Sequence, residues 1–257
     1  MRNNSTWAPS ALSPIVWRPD AWNGSLTVLA ILGSALLNFV PGLLYFVGAA
    51  ALHAIDARHP ASIPLEHLLF AQLLTFVPLG AFLLFALPRI SLCSLRELGI
   101  RRPTLQQFWF GLAGTVAMFL AVNVASAIVG NLTHRQDTEA AVALLVHAKA
   151  LIEKILFFMT ACVLAPMIEE LEFRVFLFNA LTRYVSIPAA AITSGIIFGI
   201  VHATSAAQLL TVSIPLACGG IVLAYVYART RNYWSSVVTH AAFNSISVVA
   251  VFVFHAK

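Results

Sequence analysis

One short run, Pro166 to Arg174, constrains the fold more than any other part of the chain. It lies inside an apolar stretch from Leu151 to Leu181 that is long enough to span a membrane. Within six residues it carries four formal charges: Glu169, Glu170, Glu172 and Arg174. An uncompensated charge at mid-bilayer costs about 2.5–3.5 kcal/mol, so four cost about 10 kcal/mol. We therefore expect these charges to face one another and a water-filled cavity between helices.

Helical spacing predicts that two of these charged residues form an ion pair and that the other two glutamates lie outside it. At about 100° per residue, Glu170 and Arg174 lie one turn apart on nearly the same face and can form an ion pair. Glu169 is rotated off that face, and Glu172 lies one turn from Glu169. A paired carboxylate beside a second one outside the pair is typical of a general base with structural support. Pro166 lacks an N–H and predicts a kink or local opening upstream.

Composition indicates an all-α, polytopic membrane bundle. The chain is 60% hydrophobic and only 10% charged, against about 25% charged residues in soluble domains. The net charge of +5 is spread over loops without a basic run, which argues against nucleic-acid binding. The three cysteines are scattered and are interpreted as packing residues.

Apolar runs long enough to span a membrane predict about seven helices. Their expected ranges are 26–54, 65–87, 108–130, 151–181, 187–203, 209–227 and 234–254. The chain is expected to divide into three regions. Residues 1–25 form an N-terminal interfacial segment with three tryptophans, residues 26–105 form two helices and a basic loop, and residues 106–257 form a catalytic membrane core. Residues 131–149 are expected to form a polar interfacial helix.

Positive charge in the loops predicts the orientation. The loops after the second, fourth and sixth spans carry seven arginines: Arg89, Arg96, Arg101, Arg102, Arg183, Arg229 and Arg231. The opposite side holds Arg58, Arg135, Lys149 and Lys154. This asymmetry places the N-terminus and those arginine-bearing loops in the cytoplasm. A multi-pass protein of the plasma (inner) membrane is the expectation.

Three further polar side chains lie in predicted spans. His202 follows Phe198 in the fifth, while His240 and Asn244 lie one turn apart in the last and share a face. Polar residues in spans usually face the bundle interior. With Glu169, they predict a hydrolytic site in one cavity.

Each of these features alone has a simpler explanation. A single membrane histidine more often makes an interhelical hydrogen bond, and the Glu170–Arg174 pair alone is more often structural. Asn38 and Asn123 have no evident partners and are interpreted as packing residues. The functional interpretation depends on the joint occurrence of the motifs in this order.

That order resembles a known family. Glu169-Glu170-x-x-x-Arg174, Phe198-x-x-x-His202 and His240-x-x-x-Asn244 are similar to the three motifs of the CAAX-protease and bacteriocin-processing (CPBP, or Abi) family. These are glutamic-type intramembrane endopeptidases, similar to the type II CAAX prenyl endopeptidase. The resemblance covers roughly residues 106–254 and extends to the Leu98–Pro103 loop.

The resemblance implies a role for each residue. Glu169 would activate water with help from His202, while His240 and Asn244 would hold the oxyanion. Glu170 and Arg174 would support the site. The chain departs from the family pattern in two places: Val175 replaces the usual glycine, and Glu172 replaces an apolar residue.

Three hypotheses follow. The first is an endopeptidase without a cofactor that cleaves a membrane-associated peptide or protein. The second adds zinc, ligated by the same glutamate and histidines. The third is a non-catalytic immunity or scaffold protein, or a proton-coupled carrier. The substrate and oligomeric state are not predicted.

Overall fold

A computed structural model describes residues 22–56, 63–135, 137 and 150–255, with side chains placed up to residue 252, and its regular elements are all helices. There are seven in the described ranges: α1 (Gly24–Ala51), α2 (Leu65–Ser91), α3 (Leu105–Thr133), α4 (Leu151–Leu181), α5 (Ile187–Val201), α6 (Gln208–Thr230) and α7 (Tyr233–His255). Six of them, all except α5, are long and apolar enough to cross a membrane. The prediction of a polytopic all-α bundle of about seven helices is confirmed. Most of the 1–25 segment and of the expected interfacial helix lies outside the described residues.

Several helices run beyond their predicted ends, and side-chain hydrogen bonds support the extension of α3 and α2. α3 begins at Leu105, where the Thr104 and Gln107 side chains each accept from the other's backbone N–H in a capping box. It continues to Thr133, so the expected polar segment from 131 starts inside this helix. α2 continues through Pro88 to Ser91, whose hydroxyl donates to the Leu87 carbonyl.

α1 packs mainly along α2 and exposes most of its apolar surface. Its N-terminal end is fixed to the rest of the bundle. Asn23 caps the helix, and its backbone N–H donates to the Ile90 carbonyl at 2.7 Å. The preceding Trp22 is buried against Phe176, and its carbonyl accepts from Arg183. This end of α1 is therefore anchored to both α2 and α4.

α5 and α6 pack closely enough that glycine is required between them. A Cβ on Gly199 would lie 2.2 Å from the Ser213 carbonyl oxygen and 2.8 Å from the Ala217 nitrogen. Both atoms belong to backbone, which cannot rotate away. The contact fixes the C-terminal end of α5, where His202 lies.

The basic loop before α3 is held by buried polar contacts. The Tyr227 hydroxyl donates to the Leu98 carbonyl at 2.7 Å and accepts from the Asn179 amide at 2.8 Å. Gly99 has φ +91°, and its carbonyl accepts from the Tyr233 N–H at 3.0 Å. The loop thus joins α4, α6 and α7 at the end predicted to be cytoplasmic.

α4 is not a uniform α-helix. The segments Leu151–Met159, Ala165–Glu170 and Asn179–Leu181 are α-helical, and Thr160–Leu164 and Leu171–Phe178 are π-helical. The first π segment directly precedes Pro166, where the sequence predicted an opening. Pro166 has no N–H to donate, and its ring displaces the carbonyl four residues back, which favours a wider turn.

Candidate active site

Glu169 lies between two histidines that come from other helices. Its Oε2 atom is 3.8 Å from the Nε2 of His202 and 3.8 Å from the Nε2 of His240. α4, α5 and α7 therefore bring one carboxylate and two imidazoles to one place. This is the convergence that the sequence predicted, and the catalytic roles remain predictions.

His202 reaches the site because α5 is short. Its 15 residues rise about 22 Å, so α5 alone is too short to cross the ~30 Å of a hydrocarbon core. His202 is the residue after the last helical position, and not inside the span as expected. Its Nδ1 is 2.6 Å from the Phe198 carbonyl, which only accepts. Nδ1 therefore carries the proton, and in the neutral ring Nε2 faces Glu169 as an acceptor.

His240 is oriented from behind by a buried ion pair. Its Nδ1 donates to Glu170 Oε1 at 3.0 Å, and Glu170 Oε2 is 3.1 Å from Arg174 Nε. Both members of this pair are 0% exposed, and the guanidinium lies 4.9 Å from the ring centre of Phe198. The pair predicted from helical spacing is present, and it acts on the site through His240.

Asn244 is held by the backbone of α4. Its side-chain N–H donates to the Ala161 carbonyl at 2.8 Å. That carbonyl is available because Ala165 donates to Thr160 and Pro166 has nothing to donate. An amide nitrogen carries two hydrogens, so this contact leaves one for a second acceptor.

A cavity of about 830 Å³ opens in front of Glu169. It is lined by His202, His240 and Asn244, and by residues of α1, α2, α3 and α6. Its volume falls within the ~300–1,000 Å³ typical of ligand sites. Glu170 and Arg174 lie behind its wall.

Sequence reasoning missed a polar contact between α1 and α4. Glu172 Oε1 accepts from the Ser34 hydroxyl and, at 2.7 Å, from the Asn38 amide. The interpretation of Asn38 as a packing residue was therefore wrong. Ser34 and Asn38 are four residues apart on an apolar helix, and this spacing was the available signal. Asn123, by contrast, donates to the Phe119 carbonyl of its own helix.

The residues that could hold a metal are Glu169, His202 and His240. Zinc at about 2 Å from each ligand would place neighbouring ligand atoms ~3.3 Å apart, whereas 3.8 Å separates the carboxylate from each imidazole. Among the described residues, no group of three His, Cys, Asp or Glu side chains has a metal-binding arrangement. Zinc remains an alternative to be tested in solution.

Comparison with known proteins identifies this region. A family model described as "Type II CAAX prenyl endopeptidase Rce1-like" matches residues 151–246. Residues 151–246 are therefore similar to this family. The matched region runs from the start of α4 into α7 and contains all six candidate residues, and the resemblance seen in the motifs is confirmed.

One curated relative supports the assignment. "Putative membrane peptidase YdiL" from Bacillus subtilis (strain 168) is 32% identical over 94 residues, which are 37% of this chain and 36% of the relative. The chain thus covers about a third of the length of the curated relative it matches. No solved structure matches this chain significantly.

Proposed function

We propose that this protein is a membrane-embedded endopeptidase of the glutamic type. It hydrolyses a peptide bond of a membrane-associated protein or peptide with water activated by Glu169. The supporting observation is the pair of imidazole Nε2 atoms at 3.8 Å from Glu169 Oε2, at the wall of a cavity inside a membrane bundle. The protein is multi-pass, and we place its N-terminus in the cytoplasm at the plasma membrane.

The first step forms a tetrahedral intermediate. Glu169, with His202 Nε2 as a second basic atom, takes a proton from water while the oxygen bonds to the substrate carbonyl carbon. The carbonyl oxygen becomes an oxyanion. When the C–N bond breaks, the proton passes to the departing nitrogen, and the products are one carboxylic acid and one amine.

Two side chains are placed to hold the oxyanion. His240 Nδ1 donates to Glu170, so Nε2 can donate to the oxyanion only when the ring is an imidazolium. Asn244 supplies its second amide hydrogen. Loss of one such donor costs about 10²–10³ in kcat.

The test compares cells that produce the wild type with cells that produce Glu169→Gln, His202→Ala or His240→Ala, at equal membrane levels. Peptide termini are measured by quantitative mass spectrometry. We expect the same precursors to accumulate in all three variants. His67→Ala is the matched control, because His67 lies in α2 and contacts Tyr45 outside the site. Full processing by Glu169→Gln would refute the proposal.

The same cells test the non-catalytic alternative. An immunity or scaffold protein depends on its surface and not on the chemistry of Glu169. A cellular phenotype that survives simultaneous loss of Glu169, His202 and His240 would favour that alternative.

A further inference from the structure

Glu172 is a second carboxylate in the cavity, one turn beyond Glu169. The described lining residues with a formal charge are all acidic: Glu169, Glu172 and Asp137. Asp137 has a counter-charge, since its carboxylate lies 3.6 Å from Arg135. Glu172 is bonded by two neutral donors of α1, and both reach the same oxygen, Oε1.

Two neutral donors on one oxygen do not offset the desolvation of the Glu172 carboxylate. A charge removed from water requires an opposite charge, or hydrogen bonds to all of its acceptor sites, to offset its desolvation. Among the described residues, no cationic side chain forms an ion pair with Glu172, and Glu172 lines a cavity of about 830 Å³. The cavity therefore has electrostatic complementarity for a positive group at this position.

We propose that Glu172 forms a subsite for a cationic group of the substrate, a lysine or arginine side chain or a free amine. This inference rests on the proposed endopeptidase function. Three helical residues rise at most about 4.5 Å, and an extended peptide advances about 3.3 Å per residue. The cationic group therefore lies within about two residues of the scissile bond.

Glu172 also links α1 to α4, so the experiment must distinguish a purely structural role of Glu172 from a role in binding a cation. Glu172→Gln separates the two roles. The amide oxygen of glutamine still accepts from Ser34 and Asn38, while the negative charge is lost. A structural link would leave the ratio of basic to neutral substrates unchanged, whereas a cation subsite would lower that ratio.

The experiment uses the full chain in lipid nanodiscs and a degenerate peptide library, with cleavage products sequenced by mass spectrometry. Wild-type products should be enriched about tenfold or more in lysine and arginine within two residues of the cut. Glu172→Gln should still cleave, with enrichment near twofold or less. Asp137→Asn, a matched loss of a charge that already has a partner, should keep the enrichment. Wild-type cleavage without enrichment, or enrichment that survives Glu172→Gln, would overturn the subsite.

A binding measurement separates failure of the subsite from failure of the enzyme. Absence of any cleavage by the wild type would count against the endopeptidase function alone. In the Glu169→Gln variant, fluorescence anisotropy measures the affinities for a peptide that contains lysine and for the same peptide with norleucine in place of that lysine. Tighter binding of the lysine peptide, lost on adding Glu172→Gln, supports the subsite. Equal affinities refute it whatever the catalytic result.

Discussion

Replacement of Arg174 by methionine tests whether the buried ion pair is needed for the fold. Methionine keeps much of the volume and removes the charge. Glu170 would then be a carboxylate with 0% exposure that has lost its guanidinium partner and keeps hydrogen bonds from His240 and Ser236. At 3.1 Å and an effective dielectric constant near 20, the lost attraction is about 5 kcal/mol. Breaking one side of a buried pair typically costs about 3–5 kcal/mol, and we expect Arg174→Met to lie in that range.

The double variant Glu170→Gln/Arg174→Met gives the decisive comparison. Removing both charges leaves no isolated carboxylate, so the double variant should be more stable than Arg174→Met alone by about 2 kcal/mol or more. Unfolding is followed in nanodiscs by thermal denaturation. Arg89→Met is the control, since Arg89 is exposed. A loss below about 1 kcal/mol in Arg174→Met, or a double variant less stable than the single one, would refute this reasoning.

Three further predictions concern packing, the oxyanion and metal. Gly199→Ala should destabilise the protein by more than about 2 kcal/mol, measured by thermal denaturation, because the new Cβ would collide with the backbone of α6. Gly48→Ala is the control: a Cβ there has nothing within 4 Å, and the variant should be neutral or stabilised by up to ~1 kcal/mol. Asn244→Ala should lower kcat about 10²-fold, while Ser247→Ala, which lines the same cavity, should change it less than threefold. Chelators should leave cleavage unchanged in the purified protein; stoichiometric zinc that is required for activity would instead support the zinc alternative.

Much of the fold and the convergence of the site could be predicted because their signals are local. Charges in apolar runs predict buried partners, and four-residue spacings place Glu170 with Arg174 and His240 with Asn244. The spans themselves follow from hydrophobic length. These features depend on residues close together in the chain, where helical geometry is known in advance.

The partners that were missed lie far apart in sequence. Nothing near Glu172 indicates that Ser34 and Asn38, more than 130 residues away, donate to it. The position of His202 just past the end of α5 depends on where a 15-residue helix stops, which apolar composition alone does not show. Helix ends depend on caps and loops, and the predicted boundaries were least accurate there.

The broken geometry of α4 connects these features. In a continuous α-helix the Ala161 carbonyl would be used by the helix itself. The π turn and Pro166 leave this carbonyl free of a helical donor, and the side-chain amide of Asn244 in α7 donates a hydrogen bond to it. The same contact positions α7, which carries His240 toward Glu169. The irregular segment that weakens α4 as an isolated helix thus provides the hydrogen-bond acceptor that holds α7. Because this acceptor is a backbone carbonyl, only a substitution at position 161 that alters the backbone would remove it.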